Sequence, residues 1–313
     1  MQRSVRCLHS LKNRAFVFVK PHAAVPSVCY EVPRFLERNR IDIVGSGEVG
    51  PQELRDGRKV DQHYASIAGV ALMAPAELAK LIAGIPGASE SFASKFHKSL
   101  EGLGQGQLLN VPLALQTFGL SPEELKTEFN AVCCKLAPGI YVAELHGRFV
   151  VNGFYGRLRE KFVAADARIV WFLAEFDAKE RPWKAFREEV IGATDPSLAK
   201  SGSLRSLLLE RWKELGLTQP DKQDNAIHAS ASPLEALREE QGWTDSPLSS
   251  VLSAHHFGLA LLEHFGVPAI EAFLENPTLR LKNGREGPAF DLLEDTDTSD
   301  AVELLLECRT IRT

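Results

Sequence analysis

The sequence predicts an α+β protein, in which short strands are separated by amphipathic helices. Residues 16–20 and 168–176 are rich in aromatic and β-branched residues, which is the composition of buried strands. Two helix starts carry a serine cap, a proline at the first position and a glutamate three residues after the cap, at Ser121-Pro122-Glu124 and Ser232-Pro233-Glu235. Strand and helix signals therefore occur in both halves of the chain.

The composition of the 313 residues is typical of a globular protein, with 44% hydrophobic and 25% charged residues. This length suffices for one large domain or two ordinary ones. The net charge of -5 gives no reason to expect a nucleic-acid partner. The five cysteines are odd in number and lack CxxC spacing. This pattern is typical of a protein in a reducing compartment, and it argues against a zinc site or a disulfide framework. We expect no membrane span, because no apolar run is long enough.

The first 14 residues contain four basic side chains and no acidic one, and the first acidic residue is Glu31. Such a basic leader is compatible with an organellar transit peptide, although an ordinary basic N-terminus fits equally well. The sequence therefore predicts a cytoplasmic or mitochondrial location and leaves the choice open.

The strand predicted at residues 16–20 ends at Lys20-Pro21. Because proline stops the ladder, the Lys20 ammonium lies at a strand end, a common position for a phosphate ligand. A helix at 28–38 and a strand at 41–45 follow. Helical segments then begin at Pro51 and continue over 60–67.

Residues 67–148 have a different texture, rich in alanine, leucine and glycine, and we interpret them as an insertion. Short helices are predicted at 75–83, 89–100 and 122–136, and a hairpin turns at His146-Gly147. The glycine-rich segment 102–106 is not a phosphate loop, because it lacks a preceding strand and a following GK[ST].

The second half of the chain contains the strongest strand signal, at residues 168–176, which we expect to be central. A further strand is predicted at 225–230. The predicted helices lie at 152–162, 183–190, 204–215 and 248–265, after Pro233, and at 301–308, with a solvated linker at 296–300.

Residues 225–239 hold the clearest chemical signal. Strand alternation places His228 and Ser230 on one face, and the helix that follows can return Glu239 toward it. A histidine beside a hydroxyl and an orienting carboxylate has the layout of a nucleophilic or acid–base histidine. The alternative is a histidine that only satisfies hydrogen bonds at a strand end.

Five motifs in one order give the chain a resemblance to the nucleoside diphosphate kinases. They are Lys20-Pro21, His63-Tyr64, Gly192-Ala193-Thr194-Asp195-Pro196, Ser203-Leu204-Arg205 and Asn225-Ala226-Ile227-His228-Ala229-Ser230. The resemblance implies a ferredoxin-like β-α-β-β-α-β sandwich with a four-stranded antiparallel sheet. The family-like domain would span 15–66 and 149–243, interrupted by the mainly helical insertion with its hairpin and followed by a helical extension at 244–313.

The resemblance also implies roles for individual residues. His228 would carry the γ-phosphate of a nucleoside triphosphate to a diphosphate, with Glu239 holding its ring and Ser230 completing the catalytic group. The residues that would contact the nucleotide, its phosphates or its base are Lys20, Tyr64, Phe154, Leu158, Thr194, Arg205 and Asn225. Magnesium would bridge the phosphates without a protein ligand, and the protein would be a homo-oligomer or a subunit of a larger complex.

One departure from the family concerns the phosphates directly. Glu188 stands where the family has a phosphate-binding arginine, so we expect its carboxylate near the diphosphate, with Arg187 as a candidate replacement. Further departures are His22, Ala229 and Ala231, together with the longer segment between Arg205 and Asn225. Glu188, the insertion and the long C-terminal extension favour an alternative function, that of a catalytically weak or inactive subunit with a structural or nucleotide-binding role in a larger assembly.

Overall fold

A computed structural model describes residues 11–56, 59–137 and 139–312, so most of the predicted basic leader lies outside the described residues. The strands are β1 Lys12–Val19, β2 Asp42–Val49, β3 Leu108–Leu109, β4 Cys134–Ala137, β5 Ile140–Leu145, β6 Arg148–Val151, β7 Ile169–Asp177, β8 Ile227–Ala229, β9 Thr278–Leu281, β10 Glu286–Pro288 and β11 Cys308–Arg312.

The α-helices are α1 Pro26–Arg38, α2 Pro51–Asp56, α3 Lys59–His63, α4 Ala65–Leu72, α5 Pro75–Ala83, α6 Ala88–Phe96, α7 Val111–Phe118, α8 Pro122–Val132, α9 Tyr155–Val163, α10 Trp183–Ala185, α11 Leu204–Glu210, α12 Pro233–Thr244, α13 Leu248–Ala254, α14 His256–His264, α15 Val267–Leu274, α16 Ala289–Leu293 and α17 Thr298–Leu306. Helix α10 continues as a π-helix over Phe186–Ile191, and 3₁₀ turns span Pro21–Ala23 and Pro196–Leu198.

The chain divides into two compact units. The first combines Met1–Gly50 with Arg168–Thr313, and the second is Pro51–Ala167. The second unit contains the predicted insertion together with flanking residues on both sides. Among the described residues, no helix combines the length and the apolar character that crossing a bilayer requires.

The first unit is built on an antiparallel sheet with the order β2-β7-β1-β8. All four strands predicted for it are present, which confirms the α+β class. Along the chain, α1 connects β1 to β2, and the segment with α10, the π-helix and α11 connects β7 to β8. These helices and one face of the sheet enclose a core that includes Val17, Leu36, Phe172 and Phe186.

Strand β2 extends four residues beyond the predicted end at Gly45 because two glycines there belong to the sheet rather than to a turn. A Cβ atom at Gly47 would lie 2.5 Å from Trp171 Cζ2, and one at Gly45 would lie 2.9 Å from Leu173 Cδ1. The large side chains of the neighbouring strand β7 thus occupy the space above both glycines, which is one reason for glycine within a strand.

The C-terminal part of the first unit is not purely helical, contrary to the prediction for 244–313. It contains the antiparallel sheet β10-β9-β11. Its core includes Leu234 and Leu237, so helix α12 packs against the extension. The predicted solvated linker at 296–300 is also wrong, since Thr298 is buried at the start of α17.

The helix predicted at 248–265 is interrupted at His255, whose backbone is extended between α13 and α14. The His255 ring is buried, with Nε2 2.5 Å from Glu240 Oε2. At Gly258 a Cβ atom would lie 2.3 Å from the Leu252 carbonyl oxygen, so the two short helices meet too closely for a larger residue. A buried polar contact and a close backbone approach therefore replace the predicted continuous helix.

The second unit has a four-stranded sheet with the order β3-β6-β5-β4. The predicted hairpin is confirmed as β5 and β6, with both turn residues, His146 and Gly147, at positive φ. The mainly helical description is incomplete, because β4 and the parallel strand β3 flank this hairpin. The predicted helix over 60–67 is broken at Tyr64, and the one over 152–162 begins only at Tyr155.

Candidate active site

His228 lies within β8 and Ser230 directly follows this strand, and both side chains are linked to Glu239 of α12. Glu239 Oε1 lies 2.7 Å from His228 Nε2, and Glu239 Oε2 accepts a hydrogen bond of 2.5 Å from the Ser230 hydroxyl. A carboxylate only accepts hydrogen bonds, so Nε2 carries the proton and the lone pair is on Nδ1. The three predicted catalytic side chains of this segment are therefore brought together, and Nδ1 is the candidate nucleophile.

The geometry depends on how the chain passes from β8 into α12. The Ser232 hydroxyl accepts a hydrogen bond from the Glu235 amide, as predicted for the helix cap. The Glu235 carboxylate, however, accepts from the Ala231 amide at 2.9 Å and not from that of Ser232, so the predicted capping box is only half correct. This bond closes the turn that separates His228 from the helix carrying Glu239.

The His228 ring lies on Phe18, its partner across strands β1 and β8, with ring centroids 4.6 Å apart. Burial lowers the pKa of His228 well below its ordinary value, and the charges of Lys20, Arg205 and Arg187 act in the same direction. The imidazole is therefore neutral at pH 7, which is the state that a nucleophile requires.

Glu235 lies one helical turn before Glu239 on α12. Burial, and next the negative charge of Glu239, raise the pKa of Glu235 to about 8. Two carboxyl groups in one partly buried place cannot both ionise readily, so Glu235 is predominantly protonated near neutrality while Glu239 bonds the histidine. The sequence indicated a capping role for Glu235 but gave no sign of this charge coupling.

Lys20 is held at the end of β1 by two contacts. Its ammonium donates a hydrogen bond of 2.8 Å to Asn225 Oδ1, and its amide donates to the Ala226 carbonyl. Asn225 is buried, and its amide donates in turn to the Thr194 carbonyl at 3.0 Å. The predicted phosphate and ribose residues Lys20, Thr194 and Asn225 are thus joined in one chain of contacts, and the Thr194 side chain itself is exposed.

Arg205 connects the 192–203 loop to the histidine strand. Its guanidinium donates to the carbonyl of Gly192 at 2.7 Å and to that of Ile227, the residue before His228, also at 2.7 Å. Gly192 has φ +94, and a Cβ atom there would lie 2.5 Å from Ser203 Oγ, so glycine is required at this turn. Arg205 consequently brings positive charge next to His228.

Arg187 and Glu188 lie on the π-helix, where the sequence predicted an ordinary α-helix. The Arg187 guanidinium binds Glu294 Oε1 at 2.8 Å and Asp295 Oδ1 at 2.5 Å. The Glu188 side chain is 62% exposed and lies 3.8 Å from the Lys184 ammonium. The amide of Gly192 bonds the carbonyl five residues back, at Arg187, so the wider turn changes the directions that α-helical spacing would give these side chains.

Tyr64, Phe154 and Leu158 belong to the second unit. Tyr64 lies between α3 and α4, with its ring 4.5 Å from that of His63 and 6.1 Å from that of Phe162. The Phe154 ring contacts those of Phe129 and Tyr141, with centroids 6.0 and 5.8 Å away, and Leu158 packs on the same cluster. Their predicted nucleotide contacts remain predictions.

Residues far along the chain complete the surroundings of the histidine strand. Trp183 is fully buried, and its indole donates to the Ser230 carbonyl at 3.3 Å. The Asp295 amide donates to the Ala231 carbonyl at 3.0 Å. Spacing in the sequence does not reveal such long-range partners.

No protein-family model and no curated protein sequence matches the chain. Among solved structures it is similar to the nucleoside diphosphate kinase of Encephalitozoon cuniculi, with 12% identity, 75% of this chain and 90% of that chain covered, and a TM-score of 0.37. It is also similar to the NDP kinase of Pyrobaculum aerophilum, with 16% identity, 74% and 95% covered, and a TM-score of 0.36.

A third similar structure is a transition-state mimic of the Borrelia burgdorferi nucleoside-diphosphate kinase with bound vanadate and ADP, with 17% identity, 74% and 87% covered, and a TM-score of 0.34. All these structures are NDP kinases and the likeness is distant.

Proposed function

We propose that the protein is a nucleoside diphosphate kinase-like phosphotransferase that moves the γ-phosphate of a nucleoside triphosphate to a diphosphate through a phosphohistidine at His228. The observation that carries the proposal is the contact of Glu239 with His228 Nε2 and with the Ser230 hydroxyl. The strand order and the helices between the strands correspond to the ferredoxin-like arrangement that the sequence resemblance implies.

In the proposed first half-reaction, the Nδ1 lone pair of His228 attacks the γ-phosphorus. The bond from phosphorus to the β–γ bridging oxygen breaks, and the nucleoside diphosphate leaves with that electron pair. Glu239 holds the Nε2 proton and stabilises the positive charge that develops on the ring. The second half-reaction reverses these steps with another nucleoside diphosphate, so neither oxidant nor water is consumed.

Lys20 and Arg205 supply positive charge at the place where phosphate oxygens would lie. Phosphoryl transfer depends mainly on positioning and on neutralising oxygen charge, and these side chains are fixed by Asn225, Gly192 and Ile227. Both Glu239 oxygens are already bonded, so we assign magnesium to the phosphate oxygens of the nucleotide and not to a protein carboxylate. Magnesium bound there would neutralise further phosphate charge.

The test is incubation with γ-labelled ATP and magnesium, followed by a search for acid-labile, base-stable label. We expect label on the wild type and none on His228→Ala, with the label released as nucleoside triphosphate when a second diphosphate is added. Equal labelling of wild type and His228→Ala would refute the phosphohistidine. Far-ultraviolet circular dichroism of the variant checks that the loss of label does not reflect unfolding.

The alternative, a catalytically inactive subunit with a structural or nucleotide-binding role, is favoured by one observation. Arg187, the candidate replacement for the family's phosphate-binding arginine, is bound to Glu294 and Asp295. Calorimetric titration with ADP and magnesium, combined with native mass spectrometry of protein purified from its own cells, separates the two. Nucleotide binding or stable complexes without phosphohistidine would support the alternative.

A further inference from the structure

A short acidic segment of the C-terminal extension, residues 294–298, contacts the surroundings of His228. We call it the acidic clasp. Its first two residues, Glu294 and Asp295, share the Arg187 guanidinium, with Nη1 at 2.8 and 2.5 Å from their carboxylate oxygens. Arg187 lies on the π-helix that precedes the 192–203 loop. One cation is therefore enclosed by two carboxylates contributed from more than a hundred residues further along the chain.

The clasp also reaches the turn that follows the histidine strand. The amide of Asp295 donates to the Ala231 carbonyl at 3.0 Å, one residue after Ser230. The amide of Ala231 donates to Glu235, so both backbone groups of this residue are used. Ser230 is held as well, because its carbonyl accepts from the Trp183 indole. The turn between His228 and α12 thus has partners on either side.

The far end of the clasp is fixed to β1 and to α10. Asp297 Oδ1 accepts from the Trp183 amide at 2.7 Å and from the Asn13 side-chain amide at 2.6 Å. The Thr298 amide donates to Asn13 Oδ1 at 2.8 Å. Since Asn13 and Thr298 are buried, this end is a rigid anchor, and the Arg187 pair is the more exposed contact at the other end.

We propose that Arg187 is a positioning residue, which fastens the acidic clasp against the turn at residues 230–232 and so keeps Glu239 aimed at His228. Its role in catalysis rests on the proposed function, whereas its mechanical role does not. As a phosphate ligand, Arg187 would have to release two carboxylates. As a positioning residue it acts in the arrangement already present, through Asp295, the Ala231 carbonyl and the turn into α12.

The same helix offers a matched control. Lys184 and Glu188 form an ion pair of 3.8 Å with side chains 63% and 62% exposed, whereas the Arg187 side chain is 29% exposed. Exposed pairs contribute little, because solvent and salt screen them. Removing the charge at Lys184 therefore reproduces the change in net charge on this helix without touching the clasp.

The experiment compares Arg187→Ala, Arg187→Lys, the isosteric double variant Glu294→Gln/Asp295→Asn, and the control Lys184→Ala. Three quantities are measured: amide hydrogen exchange of the peptide covering 227–235, the rate constant of labelling by ATP, and the dissociation constant for ADP with magnesium. We expect Arg187→Ala and the double variant to speed exchange and slow labelling, each about tenfold, with ADP affinity changed less than about twofold. Arg187→Lys should recover part of both effects.

Two results would overturn the proposal. One is that Arg187→Ala weakens ADP binding tenfold while the double variant tightens it, which would make Arg187 a phosphate ligand that the clasp inhibits. The other is hydrogen exchange in both clasp variants equal to that of Lys184→Ala. If the wild type forms no phosphohistidine, the proposed function fails, but the exchange measurement still decides the clasp. The double variant keeps side-chain volume, so it remains informative if Arg187→Ala does not fold.

Discussion

The two oxygens of Glu239 bond two partners, His228 and Ser230. Glutamine has nearly the same shape without the charge, so Glu239→Gln tests what the charge contributes. Glutamine at this position can still accept a hydrogen bond from His228 Nε2, but it cannot offset the positive charge that develops on the ring. We expect Glu239→Gln to lower the rate of His228 labelling by about a hundredfold, a typical effect of losing an assisting group. Quench-flow labelling measures this rate.

For Glu239→Gln, ADP affinity is the control, and we expect it to stay within about twofold because in the proposed reaction Glu239 acts on the histidine and not on the nucleotide. Labelling at the wild-type rate would show that the carboxylate charge has no part in the reaction. A parallel loss of ADP affinity would instead point to a disturbed pocket.

Glu235 gives a prediction about stability and pH. The pKa of its carboxyl is raised to about 8 by burial and by Glu239. In the unfolded chain it ionises near its ordinary value, so folding incurs a growing penalty as the pH rises from about 4.5 to 8. Glu235→Gln removes this penalty while its carbonyl still accepts from Ala231. We expect the variant to be more stable than the wild type by about 2–4 kcal/mol at pH 8.

The sign can be checked by urea unfolding at pH 4 and pH 8. At pH 4 the Glu235 carboxyl of the wild type is largely protonated in the folded and in the unfolded protein. The wild type and Glu235→Gln should therefore unfold at nearly equal urea concentrations. A wild type that is more stable than Glu235→Gln at pH 8 would mean that the buried carboxylate is ionised and stabilised there by Arg187.

The residues that the sequence identified at the site are those with local signals. His228, Ser230 and Glu239 lie within one strand–turn–helix, where periodicity determines which side chains can meet, and the structure brings the three into contact. The partners of Arg187 could not be found in this way, because Glu294 and Asp295 are brought to it by the packing of an entire extension. The interpretation of 296–300 as a solvated linker was wrong for the same reason.

Among the elements, β2 packs closely against the side chains of β7, and the composition of β2 alone does not reveal this contact. Gly47 faces the Trp171 ring, which is 2.5 Å from the position of an added Cβ atom. We expect Gly47→Ala to lower the free energy of unfolding by about 1–3 kcal/mol, because the ring or the strand must shift. Gly50→Ala is the control, since its Cβ would meet nothing within 4 Å.

Thermal or urea unfolding of both glycine variants measures this difference. Equal stabilities would show that Trp171 moves aside freely and that β2 tolerates side chains on this face. The predicted strand ends too early, at Gly45, because Gly45-Ser46-Gly47 resembles a turn. Only the opposing side chains of β7 show why a strand has glycines at these positions.

The π-helix is a second element that periodicity did not reveal. Residues 183–190 were predicted as an α-helix, and the hydrophobic positions Trp183, Phe186 and Val190 fit either helix type. The wider turn is closed by the hydrogen bond from the Gly192 amide to the Arg187 carbonyl, and Gly192 has a positive φ where the chain leaves the helix. Patterning predicted the existence of this helix, whereas tertiary contacts determined the direction of Arg187.

At the scale of the whole molecule, the second unit is inserted between two strands of the first unit, β2 and β7, which are paired with each other. Val49 at the end of β2 pairs with Ile169 at the start of β7, so the chain leaves and re-enters the first unit at adjacent positions. Each unit also has hydrophobic clusters of its own. The composition of residues 67–148 predicts an insertion in this region. Composition does not show where the compact unit begins and ends, which is at Pro51 and Ala167.

This topology predicts that the first unit folds without the second. Replacing residues 51–167 by Asn-Gly would join Gly50 to Arg168 through a tight hairpin turn, for which this dipeptide is well suited. The β2–β7 register and the contacts of Glu239 with His228 and Ser230 would all be retained. We therefore expect a cooperative urea transition and slow hydrogen exchange in β1, β7 and β8, whereas ATP labelling should fall if Tyr64, Phe154 and Leu158 bind nucleotide as predicted.

A second deletion with a flexible glycine–serine linker of about ten residues separates a poor turn from a real dependence on the second unit. If both deletions unfold without cooperativity, the first unit requires the second for its stability. If both fold and label at the wild-type rate, Tyr64, Phe154 and Leu158 are not nucleotide contacts, and every group needed for transfer lies in the unit that carries His228. Folding with weak labelling would support the predicted roles, because the histidine, its carboxylate and the two cations would still be in place.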